Sequence, residues 1–212
     1  MKADVFALGT MVAVLALLAV EWKSSVKGKW IAKPLASTGF LLTAVASGCF
    51  DSTYGLWVFI GLALSFLGDV FLIPKAKASF LAGLVFFLLG HVAYIVAFVV
   101  RGQDWASTGG ALVVLVVLAV VVGRWLLPHV GSMRVPVLAY IAVITLMITT
   151  AAGTYAYSAH NLLLGGALMF YLSDLSVARD RFIKDVFANR IWGLPLYYGG
   201  QILLALSVAQ QL

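Results

Sequence analysis

Long apolar runs separated by short charged links dominate this chain and leave it few ways to fold. A bilayer-crossing helix needs about 20 largely apolar residues. Eight segments approach that length: Val5 to Val20, Pro34 to Phe50, Gly55 to Ile73, Phe80 to Val100, Gly109 to Leu127, Pro136 to Tyr157, Asn161 to Ala178 and Ile191 to Ala209. Their apolar character is continuous, whereas barrel strands alternate over about 10 residues, so a transmembrane barrel is excluded. With 63% hydrophobic and 10% charged residues, against roughly 25% charged in an average soluble domain, a soluble globular fold is excluded as well. A disulfide scaffold fails because Cys49 is the one cysteine. The expected fold is all-α, a single integral membrane domain over residues 1–212 with eight transmembrane helices.

Proline placement supports the segmentation. Pro34 and Pro136 stand where a first helical turn loses nothing by a missing N–H, and Pro74 and Pro128 follow helix ends. Eight spans put both termini and three of the links on one side, with only Lys2 and Arg101. The other side receives Lys23, Lys27, Lys29, Lys33, Lys75, Lys77, Arg124, Arg134, Arg179, Arg181, Lys184 and Arg190. Excess positive charge marks the cytoplasmic face, so both termini are expected outside the cytoplasm, in a cell membrane. The net charge of +6 is thus read as orientation, and no nucleic-acid partner is expected.

An internal repeat points at a site. Gly61-Leu-Ala-Leu-Ser65-Phe-Leu-Gly68-Asp69 in helix 3 matches Gly166-Ala-Leu-Met-Phe170-Tyr-Leu-Ser173-Asp174 in helix 7. Gly83-Leu-Val-Phe-Phe-Leu-Leu-Gly90-His91 in helix 4 aligns without gaps with Gly193-Leu-Pro-Leu-Tyr-Tyr-Gly-Gly200-Gln201 in helix 8. Four helices separate equivalent elements, which implies two parallel four-helix repeats, about residues 1–105 and 106–212. At helical spacing Gly61, Ser65, Gly68 and Asp69 share one stripe, as do Gly166, Phe170, Ser173 and Asp174. Tyr94 continues the His91 stripe, and Tyr197 joins Gln201 on helix 8. Such stripes are expected to face the bundle interior.

A carboxylate in hydrocarbon costs roughly 2.5 to 3.5 kcal/mol even on lenient scales, so Asp69 and Asp174 read as functional acids facing a cavity. An interhelical ion pair with Lys33, Lys75 or Arg190 is the alternative for them. Each acid precedes its expected helix end by about four residues, or ~6 Å, which puts both just inside the inner leaflet. His91, about 11 residues and ~16 Å into its helix, is expected behind them as a pocket floor, with Gln201 as its counterpart. Lys33 and Arg190, each abutting a helix start, are the candidates for holding a phosphate at the mouth. No metal-ligand set of His and carboxylates, phosphate-cradling loop or serine elbow is present in the sequence, so no metal or organic cofactor is expected.

On Lys33-Pro34-Leu35, Gly61-Leu-x-x-Ser65-x-x-Gly68-Asp69, Gly90-His91-x-x-Tyr94 and Ser173-Asp174, the chain resembles the YhhN-type lysoplasmalogenases, integral membrane hydrolases. The resemblance spans most of the chain. It implies a lysophospholipid substrate whose sn-1 vinyl ether is cleaved to a fatty aldehyde and glycerophosphoethanolamine or glycerophosphocholine. Two carboxyl groups suit that chemistry, one protonating the alkene and one staying ionised beside the oxocarbenium ion. The lipid chain is then expected to point toward His91. The rival reading is a small-solute or lipid transporter, because parallel repeats with midplane polar groups are common in carriers. Its mark would be polar groups continuing to the outer face.

Overall fold

A computed structural model describes residues 2–209. It is all helical: α1 (Lys2–Trp22), α2 (Val26–Ala46), α3 (Thr53–Phe71), α4 (Lys77–Arg101), α5 (Trp105–Leu126), α6 (Arg134–Ser158), α7 (Asn161–Phe182) and α8 (Phe187–Ser207), with two short 3-10 turns between α5 and α6. Six of these, α1 and α3 to α7, are long and apolar enough to cross a membrane. The protein is a polytopic helical membrane protein.

Local chemistry sets the helix starts. Side chains of Ser25, Ser52 and Asp104 accept the N–H of Gly28, Gly55 and Ser107, satisfying donors that the first turns of α2, α3 and α5 leave open. The Ser25 cap corrects one expectation. It starts α2 at Val26, so Pro34 lies inside the helix rather than in its first turn. The bond that Pro34 cannot donate would go to Trp30, and Trp30 and Leu35 are both exposed, so the gap falls on the outer side. Pro195 similarly sits inside α8.

Six helices close a ring through the contacts α2·α3, α3·α4, α4·α6, α6·α7, α7·α8 and α8·α2. α1 packs outside it on α2 and α8, and α5 packs chiefly on α6. Both outer helices turn apolar surface away from the protein, for example Leu8, Val12 and Leu15 on α1 and Val113, Val117 and Val121 on α5.

Two crossings depend on glycine. A Cβ on Gly166 would stand 2.9 Å from the Gly200 carbonyl oxygen, and one on Gly200 would stand 2.8 Å from that of Gly166, so α7 and α8 touch backbone to backbone. α3 and α4 cross in the same way, where a Cβ on Gly90 would lie 3.2 Å from the Gly61 carbonyl oxygen. These close crossings fix which face of each helix looks into the ring.

Candidate active site

A cavity of about 360 Å³ opens between the ring helices at the end where α3 and α7 finish and α4 and α8 begin. All six ring helices line it, through Lys33, Asp69, Phe87, Tyr140, Asp174 and Tyr197 among others. Its floor is aromatic. Phe87, Phe170 and Tyr197 meet edge to face at 5.4 to 6.1 Å between centroids, and Phe40 and Tyr198 extend the layer. Val122, Leu126, Val137 and Ile141 from α5 and α6 form an apolar side wall with Phe80 and Leu84 of α4.

Asp69 is saturated. Its Oδ2 accepts the hydroxyls of Ser37 and Tyr197, each at 2.7 Å, and Lys33 Nζ lies 3.2 Å from Oδ1. Lys33 also reaches the Asp69 carbonyl at 3.4 Å, and Tyr198 bonds Ser37 at 3.2 Å. Both charged side chains are buried. The ion pair with Lys33, the alternative for this acid, is therefore present. The carboxylate of Asp69 is thus enclosed by two hydroxyl donors and an ammonium, with none of its oxygens left open.

Asp174 is differently placed. Tyr140 donates to its Oδ2 at 2.7 Å, and His91 Nε2 lies 3.3 Å from the same oxygen. His91 has no exposed surface, whereas the Asp174 side chain keeps 14% exposure and lines the cavity. His91 Nδ1 is 2.6 Å from the Phe87 carbonyl oxygen, which can only accept, so Nδ1 carries a hydrogen. Nε2 makes no hydrogen bond within the protein and lies against the carboxylate at the edge of the cavity. The ring is wedged between Phe170 at 4.5 Å and Tyr140 at 5.3 Å.

Other expected site residues divide. Tyr197 and Ser173 line the cavity, although the Ser173 hydroxyl is turned to the Phe170 carbonyl. Ser65, Tyr94 and Gln201 do not line it. Tyr94 donates to Gln201 Oε1 at 2.6 Å in a fully buried layer outward of the floor, and Gly61 leaves room for the Tyr94 ring. A polar seam does continue outward through Tyr54 and Ser207, but both are buried and neither borders the cavity. His91 lies behind Asp174, so the floor is closed to a lipid chain expected to run toward it.

Depth counting from helix ends needs correction. α7 continues to Phe182 rather than ending at Ala178, so Asp174 stands eight residues before its end and Asp69 two before the end of α3. Arg179 and Asp180 extend α7 because Asn189 of α8 ties them down, accepting from Arg179 and donating to Asp180 and the Lys184 carbonyl.

The mouth is a braced charge cluster. Arg190 contacts Glu21 at 3.2 Å, Asp180 at 2.8 Å and Asp185 at 2.7 Å, and Glu21 also takes Lys29 at 2.7 Å. The Arg190 guanidinium, hydrogen-bonded to Asp185 in the α7–α8 link, holds that carboxyl below the usual carboxylate range. Arg190, expected to bind phosphate, is thus occupied by three carboxylates. Sequence reasoning missed Ser37, Tyr140, Tyr198, Glu21 and Lys29. Ser37 had a signal, one turn beyond Lys33 on the same helix face, whereas Tyr140 sits in the apolar first half of α6 with no polar stripe to mark it.

The YhhN family model matches residues 28–208. Lysoplasmalogenase TMEM86A of Bos taurus is 32% identical over 188 residues, covering 85% of this chain and 73% of that protein. A lysoplasmalogenase homolog of Dictyostelium discoideum is 27% identical over 75% of the chain and 65% of its own length. The lysoplasmalogenase of Mycobacterium tuberculosis (strain CDC 1551 / Oshkosh) is 30% identical over 74% of the chain and 62% of its own length. No solved structure matches the chain.

Proposed function

The chain belongs to the YhhN family, and from that premise we propose that it works as a lysoplasmalogenase-like hydrolase, cleaving the sn-1 vinyl ether of a lysophospholipid drawn from the bilayer. All eight helices span, both termini face away from the cytoplasm, and the cavity opens to the inner leaflet. The division of twelve basic residues against two supports that orientation. Two parallel four-helix repeats build the ring. In favour of this, the Gly61–Gly90 and Gly166–Gly200 crossings fall at aligned positions, and α2·α3 and α6·α7 pair alike.

The observation that carries the mechanism is the 3.3 Å contact of His91 with Asp174 beside the cavity. A vinyl ether is protonated at its β carbon. Asp174, the member of the His91–Asp174 pair that borders the cavity, holds and delivers that proton, and the ether oxygen stabilises the resulting oxocarbenium ion. Water adds to the cation and returns a proton to Asp174, now a carboxylate and a base. The hemiacetal then collapses, its hydroxyl proton passing to the departing glycerol oxygen, to give the fatty aldehyde and the glycerophospho-alcohol. Asp69 stays ionised throughout, supplies negative potential to the cation and holds the Tyr197 hydroxyl at the cavity wall. The alkenyl chain lies along the apolar wall of α4, α5 and α6. A carrier would instead need the packed Tyr94–Gln201 layer to open.

Turnover of a lysoplasmalogen by the purified protein in heavy water tests this. The expected aldehyde carries one deuterium on the carbon next to the carbonyl. Aldehyde without that deuterium, after correction for exchange of free product, would exclude protonation at carbon.

A further inference from the structure

Five cations line the cavity and its mouth, and their partners differ: Lys29, Lys33, Lys75, Arg181 and Arg190. Lys33 faces Asp69, Lys29 and Arg190 share Glu21, and Lys75 lies 3.6 Å from Asp185. Arg181 has no carboxylate within ion-pair distance among the described residues. Its guanidinium sits 4.4 Å over the Phe80 ring, which is itself held edge to face by Phe182 at 5.7 Å. One nitrogen reaches the Lys75 carbonyl at 3.5 Å. A guanidinium has five N–H donors in a planar fork, so most of them are free, on a group whose orientation the ring already fixes.

We propose that Arg181 is the phosphate anchor of the lysophospholipid, a role that rests on the hydrolase reading above. Helix geometry supports the distance. Asp174 and Arg181 are seven residues apart on α7, two turns on the same face, and ~10.5 Å along the axis. The Arg181 side chain lies over Phe80, and Arg181, Phe80 and Asp174 all line the one cavity. A lysophospholipid places three glycerol carbons between its sn-1 linkage and its sn-3 phosphate. With the linkage at Asp174 and the phosphate at Arg181, α7 measures that separation and selects lipids that carry a phosphate one glycerol away from the vinyl ether.

The test compares the full chain with Arg181→Gln and Arg181→Lys, in nanodiscs, on 1-alkenyl-lysophosphatidylethanolamine and on 1-alkenylglycerol, which lacks the phosphate. Arg181→Gln should raise KM for the phospholipid about tenfold or more and leave 1-alkenylglycerol within about twofold, and Arg181→Lys should recover part of the loss. Equilibrium binding of the uncleavable 1-alkyl-lysophosphatidylethanolamine should weaken about tenfold in Arg181→Gln, matching the KM change. Equal losses on both substrates would reduce Arg181 to a packing role on Phe80, and no loss would remove it from the site. Inorganic phosphate that displaces the alkyl lipid at equal concentration would make this a free-anion site instead. Should the wild-type chain cleave neither alkenyl lipid, the hydrolase reading fails, while the binding arm still decides whether Arg181 holds the phosphate.

Discussion

The surroundings of Asp69 and Asp174 differ more than their matching sequences do. Around Asp69, α2 supplies an ammonium and a hydroxyl and α8 a phenol, and every carboxylate oxygen has a partner. Around Asp174, α6 supplies a phenol and α4 an imidazole, and one edge stays open to the cavity. In the gapless alignment of α4 with α8, Phe87 corresponds to Tyr197 and His91 to Gln201. One pair of substitutions gives Asp69 its phenol donor, and the other sets an imidazole rather than an amide beside Asp174. A lysine partner fixes charge, whereas a histidine partner lets a proton move. In the mechanism proposed above, these aligned positions therefore divide the work, Asp69 as the anion and Asp174 as the proton donor.

The largest effect that could break this contrast is at Asp174. Asp174→Asn should lower turnover at least about 100-fold, the low end for acid–base groups, while thermal stability stays within about 1 kcal/mol because the side chain borders the cavity. His91→Gln should lower kcat with little change in KM and alter the shape of the pH–rate profile, since one of two coupled groups is gone. A wild-type profile in that variant would leave His91 as packing only, and normal turnover in Asp174→Asn would sink the assignment.

Next in size is the Lys33–Asp69 pair. Lys33→Met leaves a buried carboxylate uncompensated and should cost about 3–5 kcal/mol of stability, measured by denaturation in detergent. The double variant Lys33→Met with Asp69→Asn should regain most of that stability yet remain more than about tenfold slower than wild type, because the anion beside the cation is gone. If the double variant turns over normally, Asp69 is purely structural and the contrast becomes sharper than drawn above. The smallest effect is expected in the outer layer, where Tyr94→Phe removes one buried hydrogen bond to Gln201. It should cost about 1 kcal/mol and leave turnover within about twofold. A large loss of activity there would bring that layer into the site.

Much of this was legible in the chain because hydrocarbon permits so few solutions. Continuous apolar runs could only be helices, paired glycines eight residues before paired acids marked the interior stripes, and the motifs around Asp69, His91 and Ser173 carried the family. Periodicity also placed Asp69 and Asp174 at one cavity and named Lys33 as a possible partner. Partner choice was not legible, because it depends on which helices adjoin in the ring. Tyr140 sits in the apolar first half of α6, so no period singles it out, and only the α6·α7 contact aims it at Asp174. Arg181 and Arg190 look alike as basic residues in one link. The fold gives three carboxylates to Arg190 and a phenyl ring to Arg181, because the Asn189 tie and the Glu21 end of α1 converge on one side of the mouth. Composition and spacing, which act along a single helix, determined that this is a helical membrane protein and which faces turn inward. Packing between helices distant in sequence decided the partners, Lys33, Ser37 and Tyr197 for Asp69 and Tyr140 and His91 for Asp174, because side chains reach only neighbours at about 3 Å.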